Sequence, residues 1–195
     1  MFISIEGIDG CGKSLMTEKL CSYLTDMNID HIRLREPGGC GVSEKCRDIL
    51  LNSDYLDPRC EVMLFLASRA ELVAEKIRPA LAQGKWVVSD RYADSFFAYQ
   101  SYGRGYDFDL IKKMNDFACD NVYPHKTFYL NIDVETSLAR QTDKDRISSS
   151  DKEFFYKIKE GFDALCRKFP ERFVKIDASL TPDEVFDKIK ENLNI

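Results

Sequence analysis

FISIEGIDGCGKSL, residues 2–15, passes from an apolar run through a glycine-rich turn to a lysine and a serine. Met16, Leu20, Leu24 and Met27 then recur at helical spacing. Gly7, Ile8, Asp9, Gly10, Cys11, Gly12, Lys13 and Ser14 fit G-x-x-x-x-G-K-[ST] at every fixed position, with a strand before and a helix after. Glycines let successive backbone N–H groups turn inward around phosphate oxygens, and the N-terminus of the following helix adds partial positive charge. Lys13 can reach the β and γ phosphates, and the Ser14 hydroxyl can ligate Mg²⁺. A glycine turn that merely caps a helix would not need the full motif; residues 7–14 are read as a nucleotide-phosphate cradle.

Outward from the cradle, apolar strand-like runs recur at 2–6, 31–35, 85–90, 127–133 and 172–177. Helical periodicity fills the gaps. Residues 61–81 read as one long helix, with Val62, Phe65, Leu66, Leu72, Val73 and Ile77 on its apolar face. Leu110, Ile111, Met114, Phe117 and Ala118 form another stripe. Thr181-Pro182-Asp183-Glu184 carries a cap, a proline at the first helical position and a glutamate at the third; Ser150 to Glu153 makes a similar start. Alternating strands and helices imply a parallel sheet covered on both faces. The expected fold is a single three-layer α/β domain over residues 1–195, its first strand central and flanked by those at 85–90 and 127–133. The polar stretch 141–151, QTDKDRISSSD, reads as a short flap.

The bulk chemistry narrows the function. Of 195 residues, 44% are hydrophobic and 31% charged, as in a soluble globular protein. A net charge of −5 disfavours nucleic acid as a partner. No apolar run is long enough to span a bilayer, and Met1 leads straight into a strand; the expectation is a cytoplasmic protein with no membrane partner. Seven cysteines without a CxxC pair read as reduced thiols, mostly small buried hydrophobes, and two distant histidines supply no zinc site. Cys11 stands inside the cradle and reads as one of these buried thiols.

A cradle of this kind serves switches, motors and kinases. No N-K-x-D segment is present to read guanine, and no extra length for a motor's further domains. A small-molecule kinase needs a second cleft, rich in arginine and aromatics, that holds an anionic acceptor in line with the γ-phosphate. Arg35-Glu36-Pro37-Gly38-Gly39 follows the second strand; Phe65 and Arg69 share a helix face; Asp90-Arg91-Tyr92 ends the third strand, with Ser95, Tyr99, Gln100 and Arg104 close behind. In a parallel sheet these strand ends open onto one edge, where ligands bind. Singly, Arg69 reads as a solvated helix residue, Phe65 as core and Asp90 as a strand-end cap; together they make an acceptor site. Asp90, at the end of a buried strand, is the natural metal-side carboxylate beside Ser14.

The segments IEGIDGCGKS, REPGG, FLASRAEL, SDRYADSFFAYQSYGRG and DRI, in that order over nearly the whole chain, resemble bacterial thymidylate kinase. The resemblance implies a P-loop kinase fold that transfers phosphate from ATP·Mg²⁺ to dTMP, in a homodimer. It implies that Gly7 to Ser14 hold ATP and that Asp9 orients phosphates and metal. Arg35 and Arg91 would grip the acceptor phosphate, Phe65 would stack on thymine and Arg69 would donate to its 4-carbonyl. Tyr99 would lie under the deoxyribose, with Ser95, Gln100 and Pro37 completing the pocket. An arginine above the transferred group would come from the flap: Arg146 or Arg140, with Lys144 third. Leu15, Ser101, Phe96 and Ser148-Ser149-Ser150 depart from the usual pattern. Two other readings stay open: a kinase for a different nucleotide or deoxynucleoside, and a nucleotide-dependent binding protein with little turnover.

Overall fold

All five residues of Phe2–Glu6 are buried, the environment of a central strand in a parallel sheet whose two faces are both covered by helices. A computed structural model describes residues 1–140 and 151–193. In chain order they form β1 (Phe2–Glu6), α1 (Lys13–Asp26), β2 (His31–Arg35), α2 (Gly41–Asn52), α3 (Pro58–Leu72), a π-helical turn (Val73–Ile77) and α4 (Arg78–Ala82). Then come β3 (Trp86–Asp90), α5 (Ala93–Phe97), a second π-helical turn (Ala98–Gly103), α6 (Phe108–Cys119) and β4 (Lys126–Asn131). The chain closes with α7 (Val134–Arg140), α8 (Lys152–Lys168), β5 (Phe173–Asp177) and α9 (Pro182–Glu191).

The strand order is β2-β3-β1-β4-β5, every pair parallel, with β1 between β3 and β4 as expected. Ile5 and Arg35 both pair with Asp90, so the cradle, the second strand's arginine and the third strand's aspartate reach the same edge. That shared edge positions the site.

The helix expected over 61–81 starts earlier and is not uniform. Asp57 caps it, accepting from the Arg59 N–H, with Pro58 at the first position. Further on, Pro79 has no N–H for the carbonyl four residues back and its ring crowds that carbonyl. The ladder widens just before it, where the Arg78 N–H reaches back to the Val73 carbonyl. The helix start expected at Ser150 belongs instead to Asp151, whose carboxylate accepts from the Phe154 N–H at 2.8 Å. The capping box at Thr181 and Glu184 forms as read. On α6 the apolar stripe divides: Ile111 is buried, whereas Leu110 and Phe117 face outward.

Candidate active site

Gly7, Gly10 and Gly12 all have positive φ, at 144°, 81° and 96°, which lets the chain wrap back on itself between β1 and α1. At Gly7 a side chain would meet Cys11 Sγ and the Leu130 carbonyl, both at 2.7 Å; at Gly10 it would strike the Ser137 carbonyl. Lys13 is buried, donating to the Ile8 carbonyl at 2.9 Å and lying 3.5 Å from Asp9. The Ser14 hydroxyl donates to Asp90 Oδ2 at 2.5 Å. Ile8 and Cys11 contribute no side chain to the cleft; both are buried beneath the loop, and burial pushes the Cys11 thiol up, consistent with a packing role.

In front of the loop lies a cleft of about 460 Å³. Asp9, Gly10, Gly12, Lys13, Ser14, Arg35, Pro37, Phe65, Arg69, Asp90, Arg91, Ser95, Tyr99 and Gln100 all line it. One chamber therefore brings together nearly every residue singled out above, joined by Leu15, Glu36, Arg47, Leu51, Tyr92 and Phe96.

Arg91 sits at the centre. Its backbone is left-handed, φ 68°, a conformation a non-glycine residue keeps only where its surroundings hold it. Its guanidinium donates to the Gly7 carbonyl and Ser95 Oγ, both at 2.9 Å, pairs with Asp9, and lies 5.3 Å from the centre of the Tyr99 ring. Burial alone would raise the Asp9 pKa, but Arg91 and Lys13 override it and hold the carboxylate well below the usual range. Arg35 is engaged bidentately by Glu44, at 3.0 Å to each oxygen. The Gly39 N–H donates to the same Glu44 at 2.7 Å and, with Arg35, holds its carboxyl below the usual value.

At the far end Arg69 is 2% exposed, not solvated. Its Nε donates to Glu36 at 3.0 Å, Nη2 also pairs with Glu36, and Nη1 donates to Asn115 Oδ1 at 2.6 Å. The guanidinium lies 4.9 Å from the centre of the Tyr92 ring and 5.2 Å from that of Phe96. Burial disfavours its charge, but Glu36 more than offsets this and holds it cationic. Each terminal nitrogen keeps a second N–H beyond these bonds. Nearby, Gln100 Nε2 donates to Glu61 at 3.0 Å, while its buried Oε1 has no partner. Glu61 is also gripped by Arg104, at 2.8 Å from both Nε and Nη2, so it can only accept, and this fixes which way the Gln100 amide points. Arg104 thus acts behind the cleft wall.

Arg140 ends α7 outside the cleft, Nη1 donating to the Ala178 carbonyl at 3.3 Å. Lys144 and Arg146, with all of the expected flap except Asp151, lie outside the described residues. The sequence did not single out Glu6, Glu44, Glu61 or Asn115. Each is an acceptor that the fold brings to one of the arginines or its neighbour, Glu44 from nine positions away and the others from more than forty, and no local spacing marks such a partner.

The Thymidylate kinase family model matches residues 5–189. A thymidylate kinase from Carboxydothermus hydrogenoformans is 42% identical over 99% of this chain and 98% of its own length. One from Clostridium novyi is 39% identical over 97% and 96%. The crystal structure of thymidylate kinase from Ehrlichia chaffeensis superposes with a TM-score of 0.85 at 33% identity, covering all of this chain and 98% of the other.

Proposed function

This chain belongs to the thymidylate kinase family, and on that premise we propose that its cleft carries the γ-phosphoryl group of ATP to the 5′-phosphate of dTMP, giving dTDP and ADP. The observation that carries the choice of acceptor is that two residues lining the same cleft keep complementary unused groups: Arg69 has donors beyond its bonds to Glu36 and Asn115, and Gln100 has an unpartnered Oε1. Thymine presents a 4-keto acceptor next to an N3–H donor and satisfies both. Cytosine presents an amino group and a bare ring nitrogen there, so donor would face donor and acceptor would face acceptor. Phe65 offers its ring to the base, and Tyr99 offers its own to the deoxyribose.

The loop N–H groups take the ATP phosphates, and Lys13 exchanges the Ile8 carbonyl for phosphate oxygens. Arg91 and Arg35 hold the acceptor phosphate, Arg35 shared with Glu44. Asp9, ionised throughout the working pH range, bridges Lys13 and Arg91 and orients both. The hydroxyl of Ser14 and carboxylate of Asp90 suit Mg²⁺: hard oxygen donors beside the cradle, with no cluster of three or more His, Cys, Asp or Glu among the described residues to form an all-protein cage. When bound, Mg²⁺ would neutralise charge on the β and γ oxygens. Arg140 or the flap's Arg146 supplies the cation above the transferred group.

The exposed apolar face of α3 and α6, with Met63, Ala67, Ala70, Met114 and Phe117, suits a second copy of the chain. No helix among the described residues is long and apolar enough to cross a membrane; with seven free cysteines, a reducing cytoplasm is the compartment we assign.

The test is ADP release from ATP·Mg²⁺ with dTMP, UMP, dCMP and thymidine offered separately. Turnover should be fastest with dTMP and far slower with the others. Equal turnover with dCMP would overturn the roles of Arg69 and Gln100, and turnover with thymidine alone would overturn the phosphate roles of Arg35 and Arg91.

A further inference from the structure

We propose that Glu6 is a positioning residue for the acceptor phosphate, one carboxylate that clamps both the backbone beside Arg91 and the hydroxyl that receives its guanidinium. The inference rests on the reading of Arg91 as a phosphate-binding residue.

Glu6 ends β1, one residue before the cradle, and is wholly buried, behind the cleft rather than in its wall. Its Oε1 accepts from the Tyr92 N–H at 2.7 Å, the peptide next to Arg91. Its Oε2 accepts from the Ser95 hydroxyl at 2.5 Å, and the same Ser95 Oγ accepts from Arg91 Nη1 at 2.9 Å. Arg91 holds a left-handed backbone, so something must secure it from both sides. Glu6 does so, at its backbone and at its tip. None of its recorded partners is a ligand-binding atom of the cradle.

The charged groups facing Glu6 are Asp94 from α5, Arg91, and Arg172 just before β5. Arg172 is committed to Asp94, at 2.6 and 2.7 Å, and to Thr127. Burial, then the neighbouring Asp94, push the Glu6 carboxyl up to about 8, while Ser95, Arg91 and the Tyr92 N–H pull the other way. The proton on Glu6 then decides what Ser95 can do. With Glu6 ionised, Ser95 must give its hydrogen to the carboxylate. With Glu6 protonated by solvent, its O–H donates to Ser95 Oγ, and the Ser95 hydrogen is free to turn into the cleft toward a phosphate oxygen. The protonated state also removes a negative charge from behind Arg91. Acceptor binding should therefore favour the protonated form.

Glu6→Gln tests this, because the amide can donate to Ser95 and accept from Tyr92 while never ionising. In the parent enzyme KM for dTMP should rise by about tenfold between about pH 7 and pH 9, one decade corresponding to one pKa unit of differential interaction. In Glu6→Gln that rise should vanish, with KM at pH 7 near the parent value and KM for ATP unchanged at both pH values. Ser95→Ala, which cuts the link without touching Glu6, should flatten the same profile and serves if the first variant does not fold. A parent-like slope in either folded variant would overturn the proposal, as would equal shifts in the KM of ATP and dTMP, the mark of a merely structural role. Failure to turn over dTMP in the parent would instead overturn the kinase reading itself.

Discussion

Arg69, 2% exposed, is held on its edges by Glu36 and Asn115 and lies against the rings of Tyr92 and Phe96. Removing it strands a buried carboxylate. Arg69→Ala should cost about 3–5 kcal/mol, read as a lower urea midpoint, and adding Glu36→Gln should recover part of the loss; a surface-like change would contradict the burial. Glu6 makes a second prediction. Its folded carboxyl keeps a proton to about 8, whereas in the unfolded chain it releases one near 4.5. The stabilisation this gives is full below about 4.5 and is lost as pH rises through about 8. Urea midpoints across that window should fall less steeply with pH in Glu6→Gln than in the parent. At this scale the sequence was half legible. Lys13 and Ser14 stood in a motif with fixed local spacing, and Arg91 and Arg69 in segments picked out by the family resemblance, so that all four could be named for the cleft they line. Glu36 lay in plain view inside REPGG, yet that its carboxylate would neutralise Arg69, 33 positions away, depends on how β2 and α3 pack.

Between α5 and α6 the helical ladder widens to a π turn, and that turn sets Tyr99 and Gln100 against the cleft. Its last residue, Gly103, is pressed against α8: a Cβ there would lie 2.7 Å from the Phe154 ring, which itself meets Tyr99 edge-on at 6.0 Å. Gly103→Ala should destabilise by about 1–3 kcal/mol through overpacking and raise KM for dTMP more than for ATP, because the displaced ring is the one behind Tyr99; steady-state kinetics at saturating co-substrate would separate the two. The strands and the Thr181 capping box were legible because short-range chemistry makes them. The π turns were not: that after α5 depends on packing against Phe154, and that after α3 on how the chain absorbs Pro79. Asp151, one residue past the expected start, takes the cap, its carboxylate both accepting from the Phe154 N–H and complementing the positive end of the helix.

The α3–α6 face leaves Phe117 91% exposed, an unusual position for a phenylalanine outside an interface. Phe117→Glu should shift sedimentation from dimer to monomer; a parent already monomeric at micromolar concentration would remove the proposed partner. The whole fold was the most legible level, since alternating strands and helices with one cradle leave few arrangements of a parallel sheet, whereas surface chemistry gave no signal separating an interface from a core. The sheet order has a further consequence. The cradle springs from β1, hydrogen-bonded on both sides, whereas Arg35 ends β2, an edge strand bonded only to β3. Edge strands open locally at lower free energy than central ones. On the proposed assignment the donor rests on a central strand and one of the two acceptor arginines on an edge strand: as urea rises, dTMP affinity should weaken before ATP affinity, and β2 amides should exchange before those of β1. A partly opened molecule of this kind would still hold the phosphoryl donor while its grip on the acceptor phosphate had lost one of two arginines.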